Sequence, residues 1–481
     1  MLTLERSTPE ETGIPSNCIV QLIKRLQKRH IPMHSLLLLH HDRLIFEGYY
    51  APCSADRLHR MFSISKSFTA IAIGLLCDEG KISLDDPIIR YFPEKLPQNV
   101  HPWIAQMTIR DMLMMRSCHA STTYKLDLTS DWVESYFTTP PTHPPGTLFH
   151  YDTSAPHTLC ALVEKLTGSD MLDYIKSKLH VLGLSPQSYM IKDPFGVSMG
   201  GSGLVAFPLD LVKFGYFIAH RGQILGESLL SSSYIDMAVS ALTETCVTAP
   251  LPSEAQGYGM QFWRGEKNGF TCYGMGGQLI IFLPQYHLIC VTTADTQSIQ
   301  GGNQQIYDAL YEELLPYIQD HALPPNETDL KRLQSVQASL HIAALPECTM
   351  PHSLSRIDGK RYHVLTKSCD FQYFCLHFDK DAHSHAIGTL SFSYKERSYS
   401  ISFGFGVMQT GSFPIYNLFY AASGTWLFDG TLYIKAHILD SYIGSVQFQL
   451  AFCEDELIVW MSKKEESLFQ EFNGHLYCKS S

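Results

Sequence analysis

Apolar residues recur in two different rhythms along the 481-residue chain. From Thr69 to Leu76 they run almost unbroken, free of proline and closed by Gly80, which predicts a buried helix opening at Ser63. Ile19, Val20, Leu22, Ile23 and Leu26 follow Ser16 with helical spacing and predict an amphipathic helix ending near His30. Residues 35–40 and 44–49 are β-type runs separated by His41-Asp42-Arg43, a hairpin signal. From about 82 to 187 the texture is helical and loop-rich. Within it, Pro140-Pro141-Thr142-His143-Pro144-Pro145-Gly146 predicts a rigid loop, since each proline removes a donor and fixes φ. A helix over about 154–166 follows. Further on come a helix at 208–215, strand-like runs at 258–263, 277–283 and 287–293, and a helix over about 302–320.

Past residue 352 the rhythm changes. Val446, Phe448, Leu450 and Phe452 alternate with Gln447, Gln449 and Ala451, and residues 432–438 follow the Asp429-Gly430 hairpin signal. The pattern as a whole predicts an α/β (α+β) unit over 1–322: an antiparallel sheet flanked by helices, with an all-helical subdomain at about 82–187. A connection over 323–352 leads to a C-terminal antiparallel β sandwich or barrel over 353–481.

Composition narrows the partners. With 45% hydrophobic and 17% charged residues the chain is globular, and its formal charge of -11 carries no basic stripe. Nucleic acid and anionic membrane are therefore not expected partners. Thirteen cysteines, without C-x-x-C pairs, fit a reducing compartment. The first residues lack a basic start before an apolar core, and no run of about 18 apolar residues occurs, so a cytoplasmic protein is expected. An oligomer is possible but not indicated.

The chemistry begins with Ser63-x-x-Lys66. On a helix this spacing stacks two side chains on one face, bringing an amine to a hydroxyl near unpaired backbone N–H groups. Tyr151-x-Thr153 follows Pro145-Gly146-x-x-Phe149, and Gly274-Met275-Gly276-Gly277-Gln278 opens a strand. These stretches come with Gly80-Lys81-Ile82-Ser83-Leu84-Asp85-Asp86-Pro87, Thr108-Ile109-Arg110-Asp111-Met112-Leu113, Pro208-Leu209-Asp210-Leu211-Val212-Lys213-Phe214-Gly215 and Tyr258-Gly259. Together they resemble the serine β-lactamase and penicillin-binding-protein superfamily. The nearer likeness is to the branch holding class C β-lactamases, D-amino-acid-specific peptidases, family VIII esterases and aminohexanoate-oligomer hydrolases. It covers about residues 9 to 316.

The resemblance implies a serine hydrolase acting on a small ester or amide. Ser63 would be the nucleophile, Lys66 its proton-handling partner, and Tyr151 a sharer of the base role. The backbone N–H groups of Ser63 and Met275 would hold the oxyanion, and Asp152, Thr153, Tyr273, Gly274 and Gly276 would meet substrate. No metal or cofactor is implied.

Two departures bear on substrate. The residue two after the tyrosine is Thr153 where the family usually has asparagine. Cys272-Tyr273-Gly274 stands where Lys-Thr-Gly or His-x-Gly is usual, which removes the cation that meets a penicillin carboxylate. Weak or no β-lactamase activity is expected, unless Arg264 or Lys267 supplies the charge. Rivals are a D-aminopeptidase or D-amino-acid amidase, with Asp152 facing the substrate amine, and an inactive hydrolase fold kept for binding.

Other residues have bland readings beside sharp ones. His40-His41 and His383-x-His385 lack further ligands at metal spacing. His150 either lines the pocket or is structural. Cys272 reads as a small core residue at a strand start, Trp103 and Trp263 as pocket walls or, by default, core, and Gly200-Gly201-Ser202-Gly203 as a loop near the site mouth.

Overall fold

The computed structural model describes residues 1–349, 354–366, 369–380, 386–428 and 430–480. It contains two compact units, one comprising Met1–Tyr50 and Ser54–Leu340, the other Ala51–Cys53 and His341–Ser481.

The first unit is organised on a seven-stranded sheet. In spatial order its strands are Glu5–Arg6, Arg43–Tyr49, Met33–His40, Leu288–Ala294, Gln278–Leu283, Phe270–Gly274 and Trp263–Arg264. Neighbours are antiparallel except the first two, which run parallel, so the sheet is mixed. Ile280 and Phe282 of a central strand join the core that holds Phe68 and Phe214 from the helices Ile64–Asp78 and Pro208–Ala219. Leu279 and Ile281 alternate with them and are equally buried. A strand buried on both faces reads as a continuous apolar run, as this one does.

The helical region carries Pro102–Gln106, Ile109–Leu113, Trp132–Thr138, Ser154–Thr167 and Met171–Lys178. Thr108 and Asp111 close a capping box at the start of the second of these. Three expectations need correction. The run at 258–263 is strand only from Trp263 to Arg264; Tyr258 makes isolated bridges with Thr243 and Trp263. Cys272 lies inside the strand Phe270–Gly274, and Gly274 to Gln278 is the turn leading to the next strand. The helix-prone part of the segment read as a connection is the helix Glu327–Ala338, which buries Leu333 and packs on the helix Ser16–Lys28. It therefore belongs to the first unit.

The second unit is a ten-stranded antiparallel sheet, from Arg397–Phe405 through to Gln409–Phe413, closed into a barrel by a parallel pairing of Arg397–Phe405 with Leu418–Phe428. Val446, Phe448 and Leu450 point inward while Gln449 and Ala451 are exposed, following the alternation in the sequence. The closing pairing joins Gly404 with Ser423 and Phe405 with Gly424, and so covers part of the edge that would otherwise invite pairing with other chains. The hairpin residue Asp429, and His383 and His385, lie outside the described residues.

Candidate active site

The site is built at a turn under tension. Phe62 has φ of 45°, in the left-handed region that a large side chain rarely adopts. Met61 N–H donates to the Leu204 carbonyl at 2.8 Å, and Phe62 bridges Gly203. Ser65 Oγ donates to the Phe62 carbonyl at 2.6 Å and accepts from Leu204 N–H at 2.9 Å. These bonds hold a conformation that costs free energy by itself, as backbone outliers at functional sites often do. They leave Ser63 at the N-terminal end of the helix Ile64–Asp78, with Lys66 one turn on.

Lys66 is buried, and its Nζ donates to Ser63 Oγ at 2.8 Å, to the Gly201 carbonyl at 2.7 Å and to Thr153 Oγ1 at 3.3 Å. Gly201 must be glycine for this approach, because a Cβ there would sit 2.4 Å from Thr153 Cγ2 and 2.7 Å from its carbonyl oxygen. The Gly200–Gly203 turn thus forms the floor behind Lys66 rather than the mouth of the site. Tyr151 stands over the same nitrogen, its ring centroid 4.9 Å from Nζ, and is 38% exposed. Ser63, Lys66, Tyr151 and Thr153 are therefore brought together.

Beyond them opens a cavity of about 700 Å³ lined in part by Ser63, Tyr151, Tyr273, Met275 and Gly276. Gly274 is not in its wall. It lies where the strand passes the Ser63 turn, and a Cβ there would meet the Met61 carbonyl at 2.5 Å. Gln278 ties the following turn to its neighbour strand, donating to the Met275 carbonyl at 2.7 Å and to the Ala294 carbonyl at 2.9 Å.

Asp152 does not face the cavity. Its carboxylate accepts from Ser154 N–H at 2.8 Å, Ser154 Oγ at 2.5 Å and Ala155 N–H at 3.1 Å, and it is fully buried. It satisfies the unpaired donors at the start of the helix Ser154–Thr167. Burial raises its carboxyl above the usual range, opposed by those hydrogen bonds and by the charge of Lys66. The reading of Asp152 as a partner for a substrate amine is corrected accordingly.

Cys272 is a core thiol, pushed up to about 12 by burial, and offers neither a cation nor a nucleophile. Arg264 donates to the Val239 and Asn268 carbonyls, and neither it nor Lys267 lines the cavity. His150 does line it. Trp263 is both buried in a small aromatic core cluster and a wall of the cavity, stacked on Tyr151 with ring centroids 5.6 Å apart; Trp103 packs against the core of the helical region. His40 is buried and His41 sits in a turn, stacked on His287 at 4.6 Å. Among the described residues no group of His, Cys, Asp and Glu could hold a metal ion, and no helix is long and apolar enough to cross a membrane.

Sequence reasoning missed Glu254. It lines the cavity, and Tyr273 Oη donates to its Oε1 at 2.5 Å. Burial raises the Glu254 carboxyl above its ordinary range, and burial together with the Glu254 charge raises the Tyr273 phenol. The loop around it has neither helical nor strand periodicity, so nothing local marked it.

Comparison with known proteins identifies the family. The family model described as Beta-lactamase matches residues 19–308, more than half of the chain. The chain belongs to the β-lactamase family. A 6-aminohexanoate-dimer hydrolase of Paenarthrobacter ureafaciens is 23% identical over 297 residues, covering 56% of this chain and 75% of the relative. Among solved structures, an octameric penicillin-binding protein homologue from Pyrococcus abyssi aligns with a TM-score of 0.51 at 17% identity, over 96% of this chain and 99% of that one. EstCE1, described as a hydrolase with promiscuous acyltransferase activity, aligns with a TM-score of 0.50 at 17% identity, over 61% and 99%. Members of this β-lactamase family with hydrolase names thus share the fold that carries Ser63.

Proposed function

We propose that this β-lactamase-family chain is a serine hydrolase that forms an acyl-enzyme on Ser63 and cleaves an ester or amide of a small substrate. The observation carrying the reading is the 2.8 Å contact between Lys66 Nζ and Ser63 Oγ, with the Tyr151 ring beside it at the head of a substrate-sized cavity. In this mechanism Ser63 Oγ attacks the carbonyl carbon as its proton passes to the Lys66–Tyr151 pair. The backbone N–H groups of Ser63 and Met275 hold the developing oxyanion. The alcohol or amine departs with the proton, and water, deprotonated by the same pair, releases the acid and restores Ser63.

Weak or no β-lactamase activity is part of the proposal. The position of the family cation is filled by buried Cys272, and among the described residues no lysine or arginine lines the cavity. A charged partner for a carboxylate is worth a few kcal/mol of recognition when desolvated, of order 2–5. Thirteen free cysteines support placement in the cytoplasm. The net charge of -11 supports a small-molecule substrate over nucleic acid or an anionic membrane.

The test combines a fluorophosphonate probe with a substrate panel. A single adduct on Ser63 by intact mass and peptide mapping is expected, with hydrolysis of short-chain nitrophenyl esters exceeding that of D-amino-acid anilides and nitrocefin. No adduct would overturn serine catalysis, and nitrocefin turnover rivalling the esters would overturn the substrate assignment.

A further inference from the structure

The wall of the cavity away from Ser63 is acidic and aromatic where the family's usual third motif would make it basic. Glu254 is 9% exposed and is the carboxylate among the described lining residues. Its backbone is pinned on both sides: its carbonyl accepts from Thr245 Oγ1 at 2.6 Å, and its N–H donates to the Leu251 carbonyl at 2.9 Å. Tyr273 Oη donates to its Oε1.

From this acid a row of rings runs back to the catalytic end. Tyr273 lies 6.1 Å from Trp263, and Trp263 lies 5.6 Å from Tyr151, measured between centroids. Phe149 closes on Trp263 at 5.8 Å. A buried carboxylate beside aromatic faces is complementary to an organic cation, which gains Coulomb attraction from one and quadrupole attraction from the other. The same carboxylate repels a substrate carboxylate.

We propose that Glu254, with the Tyr273–Trp263 wall, selects substrates that carry an ammonium group several atoms from the scissile carbonyl. This rests on the proposed acyl transfer at Ser63 for its catalytic meaning, but the recognition can be measured without turnover. The matched pair is a nitrophenyl ester whose acyl chain ends in trimethylammonium and its neutral tert-butyl isostere.

Wild type should favour the ammonium ester by roughly tenfold or more in kcat/KM, and Glu254→Gln should bring that ratio close to one. Equal use of the two esters by wild type, or an unchanged ratio in E254Q, would overturn the proposal. Should E254Q not fold, Tyr273→Phe decides. It frees the carboxylate while keeping a ring, so the preference should persist or rise, and its disappearance would count against Glu254. Calorimetric titration with choline against 3,3-dimethylbutan-1-ol separates this from the assignment of Ser63. Selective choline binding by a protein that hydrolyses neither ester would retain the recognition site and remove the catalytic reading. Absence of selective binding with intact Ser63 labelling would do the reverse.

Discussion

The interiors of the two units are made from similar apolar residues but treat polar groups differently. In the first unit Lys66, Asp152, Asp193 and Asp210 are all buried, each held by hydrogen bonds. Inside the barrel the large buried side chains include Phe374, Phe392, Phe403, Phe448 and Phe472, and among its described residues His437 and Glu465 are the buried histidine and acid. Desolvating a charge is expensive unless every partner is in place. The first unit therefore accepts strain and burial penalties that hold a hydroxyl, an amine and a phenol together, while the barrel follows the cheaper rule of alternation. Chemistry and regularity are separated along one chain.

The largest effect should come from Ser63→Ala or Lys66→Ala. Ester hydrolysis is expected to fall by about 10⁴-fold or more in either case, with fluorophosphonate labelling abolished in S63A. A drop of less than tenfold would relocate the chemistry. In the barrel, Phe448→Ala should cost about 3–5 kcal/mol, the usual range for emptying a buried aromatic site. Chemical denaturation measures this, and labelling of Ser63 under native conditions should survive. Loss of labelling in still-folded protein would break the division of roles.

Gly274→Ala tests the close approach of strand and turn. Displacing the strand from Met61 should lower kcat by about tenfold to a hundredfold, less than full loss of an oxyanion donor. The stability cost should be about 1–3 kcal/mol, typical of overpacking. Unchanged kcat would show that the strand does not set the position of Met275.

Acid should separate the units most gently. Burial holds His40, His59 and His119 of the first unit down to about 4 and His437 of the barrel to about 3. In the unfolded chain these groups titrate near 6.5, so it takes up their protons first. Their contribution is complete above about pH 6.5 and is lost as pH falls through 4, or through 3 for His437. His59 illustrates the cause: it is buried, with Nδ1 at 2.8 Å from the Arg60 carbonyl and Nε2 at 2.8 Å from His34 Nδ1, and burial outweighs the carbonyl contact that favours its charged form. Melting followed between pH 7 and 4 should show the larger fall for the first unit.

What the sequence disclosed follows the same division. The inward face of Val446, Phe448 and Leu450 is a property of the backbone repeat, and the buried helix Ile64–Asp78 is written in an apolar run. Ser63 and Lys66 were legible because one helical turn fixes their meeting. Asp152 was misjudged because its neighbours in sequence, Ser154 and Ala155, consume the carboxylate once the helix begins there. Glu254 was unreadable as a cavity wall, and Trp263 could be read as wall or as core: what they face depends on Tyr273 and Tyr151, and on irregular backbone with no period. Distance along the chain, more than residue type, set that limit.

The acceptors Ser63, Thr153 and Gly201, which stand among the partners of Lys66, carry a further meaning in the hydrogens they require. Ser63, Thr153 and Gly201 together take as many N–H bonds as an ammonium has. A lysine that is to receive the serine hydrogen must reach the encounter one short, still donating to Thr153 and Gly201 while its lone pair turns toward Oγ. In the proposed acyl transfer through Lys66, the direction of that one hydrogen bond would separate a resting pocket from a reactive one.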